Sequence, residues 1–157
     1  MMDTEKQKKA LEEIVGEILE KMGISANILL TTNAFSDENG ILVEIQSEDS
    51  SYLIGKFGIN LSALQHICRI IIKKKLDEDV RFSIDINGYR EKQSQNIKDI
   101  ANSAINETLE KNKTIELKPM NGYERRLVHI QVSENDLVES ESVGEGEERR
   151  VAISPKK

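Results

Sequence analysis

Ser50-Ser51-Tyr52-Leu53-Ile54-Gly55-Lys56-Phe57-Gly58-Ile59-Asn60-Leu61-Ser62-Ala63-Leu64-Gln65 is the stretch that decides how the first half of this chain folds. A short segment from Ser50 to Ile54 ends at two glycines separated by Lys56 and Phe57. A long helix then begins near Asn60 and runs to Leu76, with Leu61, Leu64, Ile67, Cys68 and Ile71 spaced to be buried on one side. The glycines free the backbone to approach a ligand closely, and the amides opening the next helix favour a phosphate. Lys56 adds a mobile positive charge at the tip. A plain helix–helix turn would carry the same tetrapeptide, so the neighbours must decide.

Working outward, residues 4–22 read as an amphipathic helix, with Leu11, Ile14, Val15, Ile18, Leu19 and Met22 at three- and four-residue spacings, stopped by Gly23. Two strands follow, Ile24 to Thr32 and Ile41 to Gln46. The turn chemistry of Ser36-Asp37-Glu38-Asn39-Gly40 lies between them. After the long helix, Val80 to Asn87 alternates, with Val80, Phe82, Ile84 and Ile86 on one face and Arg81, Ser83 and Asp85 on the other: a half-buried strand. The order is helix, strand, strand, short helix, glycine loop, helix, strand.

That order around Gly55-Lys56-Phe57-Gly58 resembles a type II KH domain (α-β-β-α-α-β), whose glycine loop clamps the backbone of about four nucleotides. The stretch from Leu53 to Gly58 and on through Leu61 to Gln65 is similar to the version found in the bacterial Jag (KhpB) family. Phe57 stands where the loop tip often carries a second basic residue, and can instead stack on a base.

Gly88 marks a junction. Beyond it, Tyr89 to Asn112 reads as a second long helix with a stripe of Ile97, Ile100, Ala101, Ala104, Ile105, Thr108 and Leu109. Ile115-Glu116-Leu117 is a short strand closed by Pro119. Asn121 then caps a helix, and Glu124 completes a capping box. The wheel of this helix turns Tyr123, Leu127 and Ile130 inward. Arg125 and His129, four residues apart, fall together on roughly the opposite side, where both can meet one phosphate. A hairpin closes the chain, from Leu137-Val138 through Gly144-Glu145-Gly146 to Val151-Ala152-Ile153. The fold class expected for the whole is α+β, in two small modules, the second running α-β-α-β-β.

A single Arg-x3-His pair is most simply an exposed helix pair. Its surroundings are more specific: Tyr89-Arg90-Glu91-Lys92 before it, Leu117-Lys118-Pro119-Met120 leading in, and Ser142-x-Gly144-x-Gly146-x2-Arg149 after it. Together these resemble the R-3-H domain, named for an arginine and a histidine separated by three residues, in its Jag-family form. The resemblance implies a single-stranded nucleic-acid-binding domain over residues 88–155, following a KH domain over residues 4–87. It begins near residue 5, so no counterpart of the family's separate N-terminal domain is expected. Where Jag-like sequences often place a further arginine in the opening helix, this chain has Gln93, so one phosphate contact is expected to be lacking.

A net charge of −6 would argue against a polyanion partner if it were spread evenly. It is not. Residues 1–50 carry 4 Lys/Arg against 11 Asp/Glu, whereas Gly55 to Lys75 holds five basic residues and no acidic one. The acidic stretch from Glu134 to Glu148 is separate, and screening beyond ~8–10 Å lets a local basic face act alone. A Lys run at a helix C-terminus is also a plain solvated helix end.

Catalysis finds little support. His66 and His129 are the two histidines, and Cys68 is the single cysteine, placed among apolar helix positions. There is no Gly-Lys-Ser/Thr phosphate loop, no cluster with metal-ligand spacing, and no cofactor is implied. One cysteine, a charged N-terminus and no long apolar run lead to the expectation of a cytoplasmic protein that does not insert into membranes. The nucleic-acid-binding residues expected are Gly55, Lys56, Phe57 and Gly58 in the loop, Lys73 and Lys74 at the helix end, and Arg125 and His129. Arg90, Arg126 and Arg149 are weaker candidates. The ligand implied by the resemblance is single-stranded RNA, with single-stranded DNA or protein-adaptor work as alternatives. In the family such proteins are bacterial, act after transcription, influence cell elongation and division, and pair with a small KH-only protein; self-association is the other option.

Overall fold

The computed structural model describes residues 4–33 and 40–157. The chain is α+β and divides into two compact units, with the boundary between Arg90 and Glu91.

The first unit runs α1 (Thr4–Lys21), β1 (Asn27–Asn33), β2 (Gly40–Gln46), α2 (Ser50–Ile54), a 3-10 turn (Lys56–Gly58), α3 (Ile59–Leu76) and β3 (Phe82–Ile86). This is the helix–strand–strand–helix–helix–strand order read from the sequence. The expected turn at Ser36–Asn39 lies outside the described residues. The sheet order is β1-β2-β3, with β1 antiparallel and β3 parallel to β2. A parallel neighbour needs a crossover, and α2 with α3 supplies it. Register places Ile41 beside Phe82, Val43 beside Ile84 and Ile45 beside Ile86. All six are buried on the face covered by α1 and α3, where Leu11, Val15, Leu53 and Ile72 are also almost wholly buried. Each such side chain contributes about 1.5–3 kcal/mol by leaving water.

The free edge of β3 is closed by a side chain. Gln65 of α3 donates from Nε2 to the Phe82 carbonyl at 2.8 Å and accepts from the Ile84 amide at 2.6 Å. One amide group thus satisfies two backbone positions that a further strand would otherwise fill.

Two readings of α3 need correction. Ile67 and Ile71 are 48% and 37% exposed; the buried residues are Leu61, Leu64, Cys68 and Ile72. Apolar residues occur nearly all around this helix, so periodicity alone leaves its rotation undetermined. At the end of α1, Met22 is likewise exposed.

The second unit comprises most of α4 (Tyr89–Lys111), then β4 (Ile115–Glu116), α5 (Gly122–Ser133), β5 (Val138–Val143) and β6 (Arg150–Pro155). Its sheet order is β4-β6-β5, antiparallel throughout. Ile97, Ala101, Ala104 and Ile105 of α4 share a core with Val128 and Val132 of α5 and Val138, Val151 and Ile153 of the hairpin. Ile100 and Leu109, expected in the α4 stripe, are about two-fifths exposed.

The expected inward face of α5 is also rotated. Tyr123 and Ile130 are half exposed, Leu127 is partly buried, and the buried positions are Glu124, Val128 and Val132. The capping box is present as expected. Asn121 Oδ1 accepts from the Glu124 amide, and Glu124 Oε2 accepts from the Asn121 amide.

Candidate nucleic-acid interface

The loop joining α2 to α3 requires glycine at its first end and favours it at its second. Gly55 has φ 69° and ψ −179°, a region open essentially to glycine alone. A Cβ there would lie 2.6 Å from the Asn60 side chain. Asn60 cannot simply move, because its Nδ2 donates to the Tyr52 carbonyl at 2.7 Å and ties the start of α3 to α2. Gly58 has φ 76°, and a Cβ there would press on the Tyr89 ring at 3.1 Å. Between them Lys56 and Phe57 are exposed, with the Lys56 ammonium 5.3 Å from the centre of the Phe57 ring. The tip thus presents an aromatic face and a cation side by side.

Lys73 and Lys74 lie at the other end of α3, about 22 Å along the helix axis from the loop. The structure therefore does not bring them to the glycine loop. Lys73 pairs with Asp79 at 3.1 Å and Lys75 with Glu13 at 2.8 Å. The latter contact lowers the Glu13 pKa and raises that of Lys75. Lys74 has no partner among the described residues. Arg90 is held at the end of β3, where its Nε donates to the Ile84 carbonyl at 3.1 Å and its amide to Asp85 Oδ1 at 3.2 Å.

In the second unit the expected residues converge. Arg125, Arg126 and His129 of α5, with Ile130, meet Ser142 of β5 and Arg149 around one open pocket of about 400 Å³. Asn121 caps α5, which packs on β5 and β6. Arg125 Nη1 donates to the Met120 carbonyl at 2.8 Å, which steadies the guanidinium. Across the pocket, Gly144 makes the turn after β5. A Cβ there would lie 2.9 Å from the Glu148 carbonyl, so the close return that delivers Arg149 needs glycine. Three arginines thus line one concavity, and an arginine side chain offers several donors and keeps its charge.

His129 lines the pocket and is partly buried against β5. Its Nδ1 lies 2.8 Å from Ser140 Oγ and its Nε2 3.0 Å from Ser142 Oγ. Burial, and then the Arg125 charge, hold its pKa below the ordinary value of 6.5, so the ring is neutral at pH 7. The two serines are the participants that sequence reasoning missed. Ser142 had been noted within its glycine motif, but a contact spanning 13 residues has no local signal.

Gln93, singled out as a missing arginine, has a structural task. Its Nε2 donates to Glu124 Oε1 at 2.9 Å. Cys68 is fully buried, and burial pushes its thiol up to about 11. No group of three or more His, Cys, Asp or Glu residues that could hold a metal occurs among the described residues. None of the described helices is long and apolar enough to cross a membrane.

The family pattern of the R-3-H domain matches residues 95–155, which contain this pocket. The second unit holds an R-3-H domain. Three relatives extend the likeness. An RNA-binding protein KhpB from Clostridium symbiosum is 29% identical over 151 residues, covering 96% of this chain and 67% of that protein. The KhpB of Bacillus subtilis is 30% identical over 115 residues, 72% of this chain and 55% of its own length. That of Lactiplantibacillus plantarum is 26% identical over 149 residues, 95% of this chain and 45% of its own. The chain is thus homologous to proteins named KhpB over most of its length, and spans from under half to two thirds of theirs. The matched range includes Arg125 and His129, the pair expected from the sequence.

Proposed function

We propose that this chain binds single-stranded RNA and performs no chemistry on it. The observation that carries the reading is the convergence of Arg125, Arg126 and Arg149 on one open pocket, in an R-3-H domain of a chain whose net charge is −6. Evenly spread charge would not gather three guanidinium groups there. The name RNA-binding protein carried by the KhpB relatives supports RNA as the polymer.

The loop Gly55-Lys56-Phe57-Gly58 is the second site, in a type II KH domain over residues 4–87 joined to the R-3-H module over 88–155. Backbone approach at Gly55 and Gly58, with Lys56 beside them, supports a grip on phosphates, and Phe57 a stacking contact with a base. Lys73, Lys74 and Arg90 act as outlying charges, weaker because Lys73 and Arg90 already have partners. The protein works in the cytoplasm as a post-transcriptional regulator affecting cell elongation and division. A separate observation favours a protein partner as well: Ile67, Ile70 and Ile71 stay exposed on α3. A small KH-only protein, or a second copy, is the partner carried over from the family resemblance.

The test is a fluorescence-anisotropy titration of the full chain against short single-stranded RNA, single-stranded DNA and duplex RNA over a range of salt. Single-stranded RNA should bind best. The logarithm of affinity should fall linearly with that of salt, and Arg149→Ala should reduce the slope by about 0.7, one phosphate contact on a single strand. An absence of binding at low salt, or a slope indifferent to Arg149→Ala, would contradict the reading.

A further inference from the structure

His129 gives its name to the R-3-H motif, yet both of its ring nitrogens are already engaged by serines. A neutral imidazole has one N–H and one bare nitrogen, so Ser140 and Ser142 must play opposite roles. Either Ser140 donates to Nδ1 and Nε2–H donates to Ser142, or the reverse. The separations, 2.8 Å at Ser140 and 3.0 Å at Ser142, accommodate either arrangement. The surroundings select the first. Ser142 lines the pocket with Arg125, Arg126 and Arg149, whereas Ser140 does not.

We propose that Ser142 is the group that donates to a bound phosphate, and that His129 is a positioning residue acting through it. Nε2–H occupies a lone pair of Ser142 Oγ, and the hydroxyl proton is left to point into the pocket. In the opposite tautomer that proton is committed to Nε2, and only lone pairs would face an anion. The relay Ser140 Oγ–H to His129 Nδ1, His129 Nε2–H to Ser142 Oγ, and Ser142 Oγ–H to phosphate runs in one direction, so each bond polarises the next. This inference rests on the anion-binding reading of the pocket given above, and adds the serine that touches the ligand.

The tautomer is read directly on the free chain by long-range 1H–15N correlation of the imidazole nitrogens. With two histidines in the chain, a His66→Gln variant assigns the signals. The relay requires a protonated Nε2 and a bare Nδ1 at His129; a protonated Nδ1, or a mixture of the two forms, overturns it. This spectrum needs no substitution in the pocket, so the proposal stays testable even if a serine variant folds poorly. In RNA titrations, Ser142→Ala should weaken binding about tenfold, the scale of a hydrogen bond to a charged group, and Ser142→Thr should restore it. Adding His129→Ala to Ser142→Ala should cost little more, because the histidine acts through the serine. Wild-type affinity in Ser142→Ala, with Arg149→Ala still weak, overturns the relay and leaves the RNA-binding reading standing. Indifference to Arg149→Ala as well defeats the RNA-binding reading, and the relay's phosphate contact with it.

Discussion

Gln93 donates a hydrogen bond to Glu124 at 2.9 Å, linking the opening helix of the R-3-H module to the first turn of the helix that carries Arg125 and His129. Glu124 is 6% exposed, yet its carboxylate is satisfied, one oxygen by Gln93 and the other by the Asn121 amide. A buried acid in this position is therefore part of the scaffold that aims the pocket.

Glu124→Ala should destabilise the second unit by about 1–3 kcal/mol, because it removes an acceptor from two part-buried donors at once. Urea denaturation of Glu124→Ala, Gln93→Ala and the double variant measures this. The double variant should lose less than the sum of the singles, since the two share one bond. Strict additivity would mean that the bond contributes nothing.

Gly55→Ala should cost about 1–3 kcal/mol, the strain of placing a Cβ in a backbone region that excludes it. The methyl group would also meet Asn60, which is fastened to Tyr52. A lowered urea midpoint checks the cost, and a weaker grip on RNA should accompany it. Unchanged stability would show that the loop relaxes to another conformation at no expense.

The His129 ring gives stability a pH dependence of known sign. Its folded pKa lies below 6.5 because of burial and the Arg125 charge. The unfolded chain therefore takes up this proton first as pH falls. The contribution is fully present above pH 6.5, is lost as pH drops through the folded pKa, and levels off below it. Urea midpoints measured about one pH unit above and one below that value should differ more for the wild type than for His129→Gln. Equal differences would contradict a partly buried ring whose pKa is lowered.

Cys68 should be inert. A fully buried thiol pushed up to about 11 holds almost no thiolate at neutral pH. A colorimetric disulfide reagent should leave the native protein unmodified and titrate one thiol in guanidinium. Rapid reaction of the native protein would show that α3 opens readily.

Most of the element order was legible because each element carries a local signal. The alternation of Val80, Phe82, Ile84 and Ile86 marks a strand, which spans Phe82–Ile86 with Val80 buried just ahead of it, and Asn121 with Glu124 marks a helix start, which stands as read. Helix rotation was less legible. On α5, Tyr123, Leu127 and Ile130 are as periodic as Glu124, Val128 and Val132, and the acid made the true inner face look polar. What satisfies that acid is Gln93, 31 residues away, which no local pattern reveals. The site follows the same rule. Arg125 and His129 are legible from their spacing and Arg149 from the glycine motif it closes, whereas Arg126 has no motif of its own. That Ser140 and Ser142 engage the histidine became visible only when α5 docked on β5.

The most direct test of the central claim is a 1H–15N correlation spectrum of the full chain, recorded as a short single-stranded RNA is added. Shifts concentrated at Arg125, Arg126, His129, Ser142 and Arg149, with a second group at Gly55 to Gly58, are the expected result. Shifts absent from both groups in well-folded protein, with RNA in excess, would contradict the account.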